Sequence, residues 1–166
     1  MDSSYVDGLL ERYAGLPRFP DGRIDFSEAG SAPVLSCFVR HGDEFLLLKR
    51  SGSVRLTGLW CPVMGFLDEP VSVRDKVLEE LSEEIGVSEE AVDRVAFGEP
   101  FRAFDGDAGK TWHIHPVLVD LREKVDVSLD MEHEEARWVP RAGLKDFKTA
   151  PRVESVLGRL RHLLDE

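Results

Sequence analysis

Glu80, Glu83 and Glu84 are the residues in this chain whose grouping could do chemistry. On a helix, positions three and four apart share one face, a turn apart. Like charges so placed cost an isolated helix about 0.2–0.5 kcal/mol per pair. Either water solvates them as a plain acidic face, or a cation neutralises them. Hard divalent ions such as Mg²⁺ take oxygen ligands and keep positions open for water and substrate phosphates.

The surrounding stretch, GFLDEPVSVRDKVLEELSEEIGV from Gly65 to Val87, carries the signals of the helix that would hold them. Ser72 followed by Asp75 reads as a capping box at its start. Gly86 tolerates the left-handed backbone of a helix end. Between them Val73, Val77, Leu78, Leu81 and Ile85 recur at helical spacing as one buried stripe.

This segment resembles the Nudix box, G-x5-E-x7-R-E-U-x-E-E-x-G-U with U a bulky apolar residue. Seven of its nine specified positions are present: Gly65, Glu80, Leu81, Glu83, Glu84, Gly86 and Val87. The resemblance implies a loop–helix–loop in which Glu80, Glu83 and Glu84 ligate Mg²⁺ or Mn²⁺, with Glu83 and Glu84 at the catalytic centre. It also implies one more glutamate from a loop outside the box, as ligand or general base. Glu132, Glu134 and Glu135 are the candidates in LDMEHEEARWVP, and Glu132 is the choice. The chain departs from the box at Val71, where the family has a glutamate, and at Glu79, where it has an arginine that braces the catalytic carboxylates. Glu79 has three readings: a further metal contact, a partner for Arg74 or Lys76, or the mark of a site that binds without turnover.

The elements that would position these groups are legible in part. Val6, Leu9, Leu10 and Tyr13 give a short amphipathic helix over residues 3–14, with Asp2, Ser3 or Ser4 as its cap. A Gly- and Pro-rich loop follows, in which Ile24 and Phe26 suggest an edge strand. This extension, residues 1–32, is open to three uses: covering the site, joining a homodimer, or extending the fold. VLSCFVR and EFLLLKR read as a hairpin turning at His41 to Asp43. Lys49 and Arg50 end its second strand; Arg50, with Trp60 beyond it, is the candidate substrate contact. Two strands are expected at Arg94–Phe104 and Lys110–Leu121, the second with His113 and His115 on one side as sheet-surface histidines. A strand at Ala136–Val139, a short helix at Leu144–Phe147 and a last helix opened by Pro151 complete the chain.

A chain of 166 residues, 42% apolar and 32% charged, is one domain's worth with a real core. A net charge of −11 excludes general nucleic-acid or anionic-membrane binding, and no apolar run reaches membrane-spanning length. MDSSYVDGLLERY lacks the pattern of a secretory signal, and Cys37 and Cys61 are too few for a disulfide framework, so the chain reads as cytoplasmic with both thiols buried.

The expected fold is α+β, or mixed α/β: a Nudix-type mixed sheet between helices over residues 33–166. The expected function is metal-dependent hydrolysis of a diphosphate linkage in a nucleoside diphosphate derivative, a small phosphorylated substrate. A non-catalytic nucleotide- or metabolite-binding module is the alternative. The isopentenyl-diphosphate isomerase branch of the superfamily is the other, since Cys61 follows Trp60; it needs a histidine that no residue between Trp60 and Gly86 supplies.

Overall fold

The structure, a computed structural model, describes residues 1–165. Eight strands form one mixed sheet: β1 (Ser31–His41), β2 (Glu44–Arg50), β3 (Trp60–Cys61), β4 (Val63–Phe66), β5 (Val92–Phe97), β6 (Phe101–Asp105), β7 (Lys110–Leu121) and β8 (His133–Pro140). Three helices accompany it: α1 (Ser3–Leu10), α2 (Val73–Ile85) and α3 (Val153–Leu164). The α+β reading holds.

β1 and β7 are the two long strands, and they pair in parallel from Ser31↔Thr111 to Arg40↔Asp120. Each changes its other partner along its length. β1 pairs with β4 over Val34–Cys37 and with β2 only at Arg40 and His41. β7 pairs with β6 up to Ile114 and with β5 from Val117 onward. The residues of β1 and β7 that serve both faces are accordingly buried, from Leu35 to Val39 and from Val117 to Val119, and all but Ser36 are apolar. β2 then carries β8 and the short β3.

The helix limits of α2 follow from local chemistry. The Asp75 amide donates to Ser72 Oγ at 3.0 Å, and Gly86 takes φ 68°, with its own amide bonded back to the last turn. Val73, Val77, Leu81 and Ile85 are fully buried. Ser72→Ala is expected to cost about 1 kcal/mol in a thermal melt, the usual value of a lost N-cap.

The extension departs from expectation in one respect. Ile24 and Phe26 form no strand: Ile24 makes an isolated bridge to Arg18, and its amide donates to the Asp68 carbonyl at 2.9 Å. The loop thus lies on the segment before α2, with Ile24 and Phe26 buried in the same core as Val6, Leu10 and Tyr13 of the N-terminal turns. Asp2 is the cap of α1, accepting from the Tyr5 amide. The strand expected at Arg94–Phe104 is two strands, broken at Gly98. A Cβ at Gly98 would lie 2.8 Å from the Arg159 carbonyl oxygen, so the chain can approach α3 there only as glycine. β8 starts at His133, three residues earlier than expected, because His133 to Arg137 continue the pairing with β2. The turn after it is a 3-10 helix over Arg141–Asp146, and Pro151 precedes α3 instead of opening it.

Candidate active site

The acidic face of α2 is not a solvated one. Glu80 and Glu84 are 9% and 3% exposed, while Glu83 stands at the rim. Glu80 lies against β4, where Gly65 makes room for it: a Cβ on Gly65 would sit 2.5 Å from the Glu80 carboxyl carbon. Burial pushes both carboxyls above their usual range, and Glu80 beside it pushes Glu84 further still. Glu84 Oε2 is buried with no hydrogen-bond partner. Two buried carboxylates, one oxygen orphaned and a glycine clearing the approach suit a divalent cation, although among the described residues Glu80, Glu83 and Glu84 do not form a trio with ligand atoms all within 4.8 Å of one another.

Basic groups close the outer side of this cluster. Lys76 is fully buried, its Nζ 2.7 Å from Asp68, 3.1 Å from Glu69, 3.2 Å from Glu79 and 3.9 Å from Glu80. Arg23, from the N-terminal extension, pairs with Glu79 and reaches Glu83 at 3.3 Å. Of the partners expected for Glu79, Lys76 is the one present; Arg74 reaches Glu89 instead, at 3.5 Å. Glu79 therefore receives an arginine from outside the box. Lys76 was legible at helical spacing, but no sequence signal marked Arg23.

The second wall comes from the segment before β8. Asp130 Oδ1 accepts from the Glu132 amide at 3.1 Å, a tight turn that presents Glu132. The segment is anchored to the end of α2: the Ser128 amide donates to the Ile85 carbonyl at 3.0 Å and the Asp130 amide to the Glu84 carbonyl at 3.3 Å. Glu132 and Glu84 consequently face one cleft, and among the described residues Glu132 has no ion-pair partner. Glu134 and Glu135, expected in a loop, lie on β8 paired with Lys49 and Arg137. His133 follows Glu132 and is buried beside Glu84; the acidic run around it hid it in the sequence.

The cleft has a volume of about 1020 Å³. Arg50 lines it and Trp60 does not: Trp60 is packed edge-on against Phe147, with Arg137 over its ring. The tryptophan of the cleft is Trp112, beside Phe66. Asp105 ties this part together. It accepts from Trp112 Nε1 at 3.1 Å, which with further hydrogen bonds holds its carboxyl below the usual range, and it pairs with Arg152 at 3.4 Å and Arg55 at 3.7 Å. Leu56 and Arg152, both on the cleft, are the only non-glycine residues among those described with left-handed φ, at 61° and 71°.

Cys61 and Cys37 are buried thiols, as expected. Burial pushes Cys61 up to about 12, which leaves it protonated and a poor nucleophile. Its neighbour is His133, with Nε2 3.9 Å from Sγ, a histidine from β8 that the sequence around Trp60 did not offer.

His113 and His115 share one side of β7, with rings 4.5 Å apart, but His115 is buried under α1 and is not a surface residue. His115 Nδ1 faces the carbonyls of Val34 and His113 at 3.1 Å, so it carries the hydrogen, and Nε2 accepts from the Tyr5 hydroxyl at 2.7 Å. Both ring nitrogens are thereby used. Burial, then His115 and Arg102, lowers His113 to about 4. The unfolded chain then binds more protons than the folded one between about pH 6.5 and 4, so His113 costs stability as pH falls through that window. His113→Gln is expected to lose less stability than the parent between those pH values, read from paired denaturant titrations.

Comparison with known proteins brings three findings. The family model described as NUDIX domain matches residues 30–160. No curated protein matches the sequence. Among solved structures, a C. elegans Ap4A hydrolase binary complex is similar with TM-score 0.64 and 20% identity, over 81% of this chain and 98% of that one. The Nudix hydrolase RenU from M. smegmatis gives 0.67 and 19%, over 92% and 95%. A bifunctional NMN adenylyltransferase/ADP ribose pyrophosphatase from Francisella tularensis, complexed with AMP and a Mn ion, gives 0.66 and 16%, over 98% of this chain and 47% of that one. At these identities the likeness is one of fold.

Proposed function

We propose, from the premise that this chain belongs to the NUDIX domain family, that it is a divalent-metal-dependent pyrophosphohydrolase cleaving a diphosphate linkage in a nucleoside diphosphate derivative. The observation that carries the reading is the buried pair Glu80 and Glu84, with an orphaned oxygen, on the wall of a cleft that also holds Trp112 and four arginines, Arg23, Arg50, Arg55 and Arg152. Two similar structures bear the names Ap4A hydrolase and ADP ribose pyrophosphatase, which supports a phosphorylated nucleotide compound as the substrate class.

The roles follow from the chemistry of each group. Glu80, Glu83 and Glu84 hold Mg²⁺ or Mn²⁺. When bound there, such an ion lowers the pKa of water and draws charge from a phosphoryl oxygen. Arg50, Arg55 and Arg152 offer guanidinium groups to the remaining phosphate oxygens. Trp112 and Phe66 give an aromatic surface for the base. Glu132 faces the cleft with no basic partner among the described residues, so it is the carboxylate able to take the proton from the attacking water. Trp60, buried against Phe147, has no such role.

Glu79 favours turnover over mere binding, because Arg23 and Lys76 restore the positive charge that the box arginine supplies elsewhere in the family. Incubation with Mg²⁺ or Mn²⁺ and a panel of nucleoside diphosphate compounds should release a nucleoside monophosphate. Thermal stabilisation by those compounds with no product would instead favour the binding module.

A further inference from the structure

We propose that Glu84, Glu132 and His133 form a mixed oxygen–nitrogen site for a first-row transition ion, taking Co²⁺ or Zn²⁺ in preference to Mg²⁺. One ligand atom from each residue lies within 4.8 Å of the others. The proposal goes beyond hydrolysis: Glu84 and Glu132 also belong to the proposed hydrolytic site, and His133 is the ligand that nothing in that reaction uses.

The two ring nitrogens of His133 have separate duties. Nδ1 lies 3.1 Å from Asp130 Oδ1, an oxygen that accepts, so Nδ1 carries the hydrogen. Nε2 is left as a lone pair, on a side chain only 1% exposed. It faces Glu84 Oε1 at 3.7 Å, too far for a shared proton, and its one hydrogen-bond partner is the Cys61 thiol, a weak donor whose Sγ is 3.9 Å away. Glu84 Oε2 beside it is buried and unpartnered. A buried carboxylate oxygen with no partner, beside an imidazole nitrogen held only by a thiol, is costly unless a cation joins them.

The donor set decides which cation. Mg²⁺ wants oxygens and dehydrates reluctantly, whereas imidazole suits the borderline ions later in the first row. Asp130 completes the carboxylate–histidine arrangement that orients a ligating imidazole and raises its basicity. The turn that fixes Glu132 and the bond from the Asp130 amide to the Glu84 carbonyl hold all three ligands to one frame. Three protein ligands with an open side toward the cleft, which Glu84 and Glu132 line, is the pattern of a site that also admits water or substrate.

The test is titration of the full chain, freed of metal by a chelator, with Co²⁺ and separately with Mg²⁺, by calorimetry and by the visible absorption of Co²⁺. Co²⁺ is expected to bind the more tightly. Asp130→Asn should weaken Co²⁺ by about 10–100-fold, and His133→Asn by at least as much, with Mg²⁺ affinity unchanged in both. Equal affinities for the two ions, or Co²⁺ bound by His133→Asn as by the parent, would overturn the proposal. If circular dichroism shows His133→Asn unfolded, Glu132→Gln and the ¹⁵N resonance of His133 Nε2 decide. A loss of Co²⁺ affinity in Glu132→Gln and a shift of that resonance on adding Zn²⁺ support the site; an unmoved resonance overturns it.

Discussion

Lys76→Met is expected to lower the stability of the fold by about 3–5 kcal/mol, the cost of breaking a buried ion pair by removing one partner. For a chain of this size that is a fall in Tm of roughly 6–20 °C. The reason is the count of charges around one ammonium group. Lys76 is fully buried, and Asp68, Glu69, Glu79 and Glu80 all lie within 3.9 Å of its Nζ. Methionine matches the stem but returns four carboxylates to mutual repulsion, two of them, Asp68 and Glu80, buried. Differential scanning calorimetry without added metal measures the effect, and a loss below about 1 kcal/mol would place Lys76 with ordinary exposed pairs.

The second large effect runs in opposite directions for activity and stability. Glu83→Gln with Glu84→Gln should reduce hydrolysis by about 10³-fold or more, because several kcal/mol of charge stabilisation leave with the ion, at about 1.4 kcal/mol per decade. The same double variant should melt no lower than the parent in the absence of metal. Glu84 is a carboxylate whose burial and neighbour Glu80 disfavour its charge, so a neutral amide of the same size relieves a strain that only a cation otherwise offsets. Steady-state rates and chelator-treated melts read the two arms, and activity surviving in the variant would remove Glu83 and Glu84 from the metal site.

The parts of the chain that could be read in advance are those whose causes are local. Ser72, Gly86 and the stripe from Val73 to Ile85 define α2 because caps and helical spacing act within a few residues. The hairpin of β1 and β2 was legible for the same reason, with Gly42 at its turn. What escaped depends on contacts between distant segments. The break at Gly98 is imposed by α3, the burial of His115 by Tyr5, and the exclusion of Trp60 from the cleft by Phe147. The carboxylates were identified from the box, but their burial was not, since an acidic run reads as a solvated face until the sheet is placed against it. His133 escaped because its partner Glu84 lies on another element.

Arg23 and Lys76 match the reversed charge at position 79 with two cations of their own. Substituting the family's usual residue, Glu79→Arg, would bring a third cation against the two already there and leave the guanidinium that crosses over from the N-terminal loop with Asp21, Glu69 and Glu83 alone. A change that looks like a return to type would thus act as an injury. The charge at this position has to be exchanged as a couple, 79 together with 23, if it is to be exchanged at all.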